Sequence, residues 1–244
     1  MLFAGEPLAP MLDAILRRMT LSDDECAMLL NLPHRIITKE PGNYIIREDD
    51  NPGHCIVVLE GLSYASRTTG DGTRQILAFL VPGDIANLSG AILPIADCSI
   101  QSLTRTSIAI VPHQAVKDIA TRSVAICQAF AWQAMLDISI ARAWMLSLGR
   151  RSARQRVSHL ICELMLRQKT VGLSDGRRLL WPLTQEQVAD ATGLTPVHVN
   201  RTIRSLREDE LIVVERHVLI VENWIELCRA GDFKSAYLHQ AGAD

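Results

Sequence analysis

Four side chains pose the first chemical question: Val197, Asn200, Arg201 and Arg204. Their spacing of i, i+3, i+4 and i+7 puts them on one face of any helix that contains them. A guanidinium offers paired N–H donors that match O6 and N7 of guanine, and a carboxamide matches N6 and N7 of adenine. A protruding helix with such a face suits the major groove of DNA.

The flanking residues supply the signals that would place this helix. Thr184 is a good N-cap, and Gln187 three residues on completes a capping box. The spacing predicts a helix over 185–192, closed by Gly193, which takes the left-handed conformation at no steric cost. Thr195 caps a second helix with Pro196 at its first position, where the missing N–H costs nothing. Val188, Ala189, Leu194, Val199, Ile203 and Leu206 are the expected inward side chains. Ala189 and Gly193 are small, as a close helix crossing requires. Downstream, 211–214 and 218–221 straddle Glu215-Arg216-His217 as a hairpin, a wing beside the helix-turn-helix. Residues 179–183 read as a short strand before it.

Charge follows the same segment. The chain of 244 residues has a net charge of -2. Residues 1–149 carry 11 Lys/Arg against 15 Asp/Glu, and 150–220 carry 12 against 8. The last segment, 221–244, carries 2 against 4. Positive charge concentrated at the helix-turn-helix is what phosphate binding needs.

Composition bounds the rest. With 48% hydrophobic and 21% charged residues, the chain is ordinary for a globular protein of one large or two modest domains. The N-terminal segment lacks a basic start followed by an apolar run, which argues against a signal peptide or membrane span and for a cytoplasmic protein. None of Cys26, Cys55, Cys98, Cys127, Cys162 and Cys228 forms a CxxC pair, so neither a zinc site nor a disulfide framework is indicated. They read mostly as small core residues, with one reactive thiol left open.

From the N-terminus, 8–31 reads as one or two short helices, with a capping signal at Ser22 and Glu25. From 34 to 112, short β-branched runs alternate with turn signals such as Pro41-Gly42-Asn43, Asn51-Pro52-Gly53, Asp71-Gly72 and Pro82-Gly83-Asp84. Strands at this spacing predict a barrel or jelly roll. A long helical run follows over 113–148. From Ser123 onward it is apolar around most of its circumference, so it must bury more than one face. One side can cover its own barrel while the other pairs with a second copy. Two heptad registers are open, 126/130/133/137/140/144 and 127/131/134/138/141/145. After a hinge at Gly149-Arg150-Arg151-Ser152, a helix is expected over 153–169. A last short helix spans 224–228, and the tail from Phe233 is expected to be mobile.

Barrel, long helix and winged helix-turn-helix in this order, with the Pro82-Gly83-Asp84 turn, Ala189, Gly193 and Arg201, resemble the Crp/Fnr family of bacterial transcription regulators. The resemblance covers about residues 10 to 230. It implies an α+β fold: a cyclic-nucleotide-binding-like β-roll with N-terminal helices over 1–120, and a dimerisation helix over 121–148. A winged helix-turn-helix domain over 149–222 and a C-terminal helix and tail over 223–244 complete it. It further implies a cytoplasmic homodimer, away from membranes, that binds a near-palindromic DNA site and contacts RNA polymerase. By the family pattern, Pro196, Val197, Asn200 and Arg201 fall on base-reading positions, with Arg201 on the guanine-reading arginine. Thr195 and His198 fall beside bases or phosphates. Thr184, Gln185, Arg204 and the hinge residues Arg150 and Arg151 are candidate phosphate contacts. The departure is Val197, where well-known members carry a glutamate that accepts from cytosine.

No cofactor is expected. Cyclic-nucleotide members hold the phosphate with an arginine followed by serine or threonine, whereas here the aligned stretch is Ala96-Asp97-Cys98-Ser99. An iron–sulfur member needs a cluster of N-terminal cysteines, and this chain offers Cys26. His54-Cys55 is the one pair suggestive of haem, against the commoner structural role of a histidine on a strand edge. Some members act without any ligand. A cupin-type enzyme is disfavoured, because His34, His54 and His113 lie far apart with no HxH. The alternative function is a ligand-sensing regulatory module that acts on a protein partner rather than DNA.

Overall fold

The computed structural model describes residues 5–240. It divides into two compact units. Among the described residues, one comprises 5–67 with 78–138 and 240, the other 68–77 with 139–239.

The first unit opens with α1 (Ala9–Leu16) and α2 (Asp23–Leu30). Ser22 caps α2 in a complete capping box, with Glu25 reaching back to the Ser22 backbone N–H at 2.9 Å. Eight strands follow: β1 (Arg35–Lys39), β2 (Tyr44–Ile46), β3 (His54–Glu60), β4 (Ser63–Thr68), β5 (Arg74–Leu80), β6 (Ile85–Ala86), β7 (Ser99–Ser102) and β8 (Thr106–Pro112). They form two four-stranded sheets, ordered β1-β8-β3-β6 and β2-β7-β4-β5. This is the expected β-roll.

Strands β3 and β8 are near-continuous apolar runs because both of their faces are buried. Cys55, Val57, Ala109 and Val111 pack on the helix side with Met11, Leu12 and Phe130. Between them in sequence, Ile56, Ile108 and Ile110 face the roll interior with Ile46, Ala96 and Ile100. Successive strand residues point to opposite faces, so one run serves two cores. The Pro82-Gly83-Asp84 turn is fixed on both sides. Gly83 has φ +93°, and a Cβ there would meet the Pro10 carbonyl oxygen at 2.6 Å. The Asp84 carboxylate accepts the Val81 N–H at 2.8 Å.

The helical run over 113–148 proves to be two helices, α3 (His113–Arg122) and α4 (Val124–Arg150). Ser123 breaks it in an extended conformation, φ -137° and ψ 122°. Its hydroxyl accepts the Ile126 N–H at 3.1 Å and donates to Glu25 at 2.6 Å. Serine competes with helix for backbone donors in this way.

The two heptad registers of α4 divide its surface between them. Ile126, Phe130, Gln133, Ile140 and Trp144 of the first are buried within the chain, and only Asp137 is exposed. In the second register, Cys127, Ala131, Ile138, Ala141 and Met145 are exposed and Ala134 is half-buried.

In the second unit, α5 (Ala153–Thr170) begins with a capping box of Ser152 and Gln155. Then come β9 (Arg178–Leu180), α6 (Gln185–Thr192), α7 (Pro196–Glu208), β10 (Ile212–Glu215), β11 (Val218–Val221) and α8 (Trp224–Ala230). The sheet order is β10-β11-β9. β9 lies earlier than expected and stops before Trp181. Pro182 lacks the N–H that a continued ladder would need. The hairpin tip at 68–77 groups with this unit, where Arg74 Nε meets Asp190 Oδ2 at 2.7 Å.

The tail is not loose as expected. A 3-10 turn at Ser235–Leu238 buries Leu238, and the Tyr237 hydroxyl reaches Glu163 and His159. Glu163 is fully buried and also accepts the Trp144 indole N–H, with Nε1 3.0 Å and 3.1 Å from its two oxygens. Burial raises the Glu163 carboxyl above its ordinary pKa and lowers His159 to about 4.

Candidate DNA interface

The first helix forms over the predicted 185–192 and the second starts at Pro196 as expected, and their caps show why. The Thr184 hydroxyl accepts the Gln187 N–H at 3.1 Å, while the Gln187 side chain accepts the Thr184 N–H at 3.0 Å. Gly193 closes α6 at φ 61° and ψ 40°. The Thr195 hydroxyl accepts the His198 N–H at 3.3 Å and caps α7, with Pro196 at its start. Val188, Ala189, Val199 and Leu206 are buried, while Leu194 and Ile203 are half-buried at the edge of the same core.

Two arginines of α5 hold this element, and a third in the segment before α5 holds the C-terminal segment. Arg156 Nη1 donates to the Thr192 carbonyl at 3.0 Å, satisfying an orphan acceptor at the end of α6. Arg154 donates to the Ser205 hydroxyl at 2.7 Å and pairs with Asp209 at 2.6 Å, fixing the back of α7. Arg151, expected as a phosphate contact, is largely buried. Its Nη2 donates to the carbonyl oxygen of Asp232 at 3.0 Å and to its carboxylate at 3.3 Å. It is therefore a tie to the C-terminal segment. Arg150 is exposed at the end of α4.

The remaining expected site residues sit on the outside of the motif. Thr184 and Gln185 are exposed at the start of α6. Thr195, Pro196, Val197, His198, Asn200, Arg201 and Arg204 are exposed along α7, with Val197 at 65%. Asn200 and Arg201 have no side-chain partner among the described residues. Arg204 pairs with Glu208 at 2.8 Å, both exposed. A solvent-exposed pair of that type is worth at most about 1 kcal/mol, so a phosphate can take Arg204 from it. Thr184 and Thr195 cap through their hydroxyl oxygens as acceptors, so their O–H groups can still donate to an anion beside the backbone N–H groups of the first turns.

Arg216 is a residue that the sequence placed in the wing without giving it a role. It is exposed in the two-residue connection between the Glu215 and Val218 partners, with φ 53°. A cation at a wing tip can reach a phosphate flanking the groove. Its sequence signal was a basic residue within the expected connection Glu215-Arg216-His217.

The effector region of the β-roll presents different chemistry. Ala96 is buried in the isoleucine-rich interior, and Asp97 is exposed. Burial pushes the Cys98 thiol up to about 12. Arg67, whose charge acts on that thiol, is bound to Glu48 at 2.7 Å. Cys55 is buried with its Sγ toward the Val111 carbonyl, and its neighbour His54 turns Nδ1 to the Pro52 carbonyl at 2.6 Å. The two side chains do not converge.

Comparison with known proteins agrees with this division. The model of the Crp-like helix-turn-helix domain matches residues 155–230, and that of the cyclic nucleotide-binding domain matches 37–123. The transcriptional activator protein FnrL of Cereibacter sphaeroides is 26% identical over 198 residues, 79% of each chain. The nitrogen fixation regulation protein FixK of Bradyrhizobium diazoefficiens is 33% identical over 178 residues, 71% of this chain and 72% of FixK. The structure of FixK2 from Bradyrhizobium japonicum superposes with a TM-score of 0.75 at 23% identity, covering 82% of this chain and 98% of FixK2. With an exposed recognition helix on a winged motif and a relative of this similarity, the chain belongs to the Crp/Fnr family of DNA-binding transcription regulators, not to a family of enzymes.

Proposed function

We propose that the protein activates transcription as a cytoplasmic homodimer, without a cyclic nucleotide or an iron–sulfur cluster. The exposed face of α7 carries this reading. In each subunit Arg201 takes a guanine and Asn200 an adenine, while Val197 packs on a thymine methyl. Thr195, His198, Arg204, Arg216 and the first turn of α6 set the register through phosphates. The names of relatives such as FnrL support activation, and activation implies a contact with RNA polymerase.

The exposed register of α4 supports the dimer. Val124, Ala131, Ile138 and Met145 recur every seven residues, with Cys127, Ala134 and Ala141 between them. That is the a/d seam of a two-stranded coiled coil, built of small and apolar side chains. The helix is also long and apolar enough to cross a membrane by composition. A second copy covers the exposed face while the first register stays in the protein core. Two subunits then present their recognition helices about one DNA turn apart, roughly 34 Å.

The experiment is selection of bound sequences from a random DNA pool, with purified protein, no added ligand and fixed near-physiological salt. A near-palindrome with guanine in each half is the expected product. Weak, sequence-indifferent binding both alone and with cell extract overturns it in favour of a protein-directed regulator. Cys127 gives a separate test of the dimer. Mild copper-catalysed oxidation should link two chains through Cys127, and Cys127→Ser should abolish the product.

A further inference from the structure

The thiols of Cys162 and Cys228 lie 3.9 Å apart, sulfur to sulfur, although 66 residues separate them in sequence. Cys162 is on α5 and fully buried, while Cys228 is on α8 and half-buried. The two helices meet closely beside them. A Cβ on Gly231 would lie 2.8 Å from the His159 backbone nitrogen and 3.0 Å from the Ser158 carbonyl carbon. Cys228 is one turn before that crossing on α8, and Cys162 is one turn after it on α5. The sulfurs need move together by only about 2 Å to reach the roughly 2.05 Å of a disulfide.

We propose that Cys162 and Cys228 are a redox modification site, which a peroxide converts to a disulfide within the folded chain. Cys228 reacts first, because it alone of the two reaches solvent. Its thiolate attacks one peroxide oxygen. An S–O bond forms, the O–O bond breaks, and hydroxide leaves as water after protonation. The sulfur of Cys162 then gives up its proton and attacks the Cys228 sulfenic acid. The S–S bond forms, the S–O bond breaks, and a second water leaves. Two thiols lose two electrons in all, and one peroxide is reduced to two waters.

The ring closed by this bond contains β9, α6, α7, β10 and β11 entire. The whole DNA-reading element would lie between the two linked cysteines. A cross-link over so long a loop restricts the unfolded chain strongly. In a reducing compartment the thiols are the resting state, and the bond reports an oxidant.

The test uses the full-length Cys127→Ser protein, so that links between chains do not interfere. Native protein is treated with stoichiometric hydrogen peroxide, then alkylated, digested and mapped by mass spectrometry. The expected product is a linked pair of peptides containing Cys162 and Cys228, with two thiols lost and both restored by dithiothreitol. The oxidised protein should melt higher by about 5 °C or more. Cys162→Ala should stop at a Cys228 sulfenic acid that dimedone traps, and Cys228→Ser should leave Cys162 as a free thiol. Over-oxidation of Cys228 with Cys162 still free overturns the proposal. So does a link that forms only after unfolding in urea.

Discussion

The hydroxyl of Tyr237 lies 2.6 Å from Oε2 of Glu163 and joins the end of the chain to a carboxyl with no access to solvent. The same hydroxyl is 3.0 Å from Nε2 of His159, whose Nδ1 lies 3.3 Å from the Gly231 carbonyl oxygen. The Tyr237 hydroxyl donates to Glu163, which also accepts the Trp144 indole N–H and has Arg167 Nη1 4.0 Å from its Oε1. Glu163, Tyr237, His159 and Gly231 thus form one chain of polar contacts in which each buried member finds a partner.

Tyr237→Phe removes the middle of that chain while keeping the ring. It leaves a buried carboxyl and an imidazole each short of a partner, which costs about 1–3 kcal/mol. Urea denaturation of the two proteins should show a lower midpoint at unchanged slope. An unchanged midpoint would mean that the tail contributes nothing to stability.

The pH response follows from the same group. His159 is lowered to about 4 by burial and the nearby Arg151, against an ordinary value of 6.5, so the unfolded chain binds its proton more readily. Stability is therefore lost as pH falls from about 6.5 towards 4, by up to about 1.4 kcal/mol per pH unit. Glu163 works with the opposite sign, since its raised carboxyl favours the fold at low pH and loses that advantage as pH rises. His159→Gln isolates the first effect. Its stability should fall less steeply than that of the parent over this range, whatever its absolute value.

Arg201→Ala should lose the preference for guanine at one position in each half-site and weaken specific binding by about 1–3 kcal/mol per contact. The residual binding should stay salt-dependent, because the phosphate contacts remain. Retained specificity in a titration over single-base variants of the selected site would refute the assigned role.

Gly83→Ala puts a methyl group where the Pro10 carbonyl oxygen stands and asks for φ +93° in an L-residue. A loss on the order of 1–3 kcal/mol is expected, read as a lower melting temperature of the whole protein. Gly149→Ala is the control, since a Cβ there meets nothing within 4 Å.

What was legible in the sequence follows a physical rule. The first helix of the motif and the start of the second could be bounded to the residue because Thr184, Gln187, Gly193, Thr195 and Pro196 act on their own backbone within one turn. The two faces of α4 were legible as alternatives, because periodicity fixes a face but not what covers it. Features that depend on distant partners were not readable. Ser123 breaks the long helix with the help of Glu25, 98 residues away. Arg151 looks like a free hinge cation until Asp232 folds back on it, and the tail looks mobile until Tyr237 finds Glu163. Contacts between residues this far apart leave no spacing signal in the sequence.

On the proposed contact between Val197 and a thymine methyl, chemically modified DNA is read differently. A valine tip sees a methyl group in the major groove rather than a hydrogen-bond donor, and thymine shares its C5-methyl with 5-methylcytosine. Replacing the contacted thymine by uracil should weaken binding, and a methylated cytosine should substitute for it better than a plain one. A relative with glutamate at this position reads the exocyclic amine of cytosine, which methylation at C5 leaves unchanged. This one side chain would therefore make the regulator responsive to epigenetic marking of its own operator.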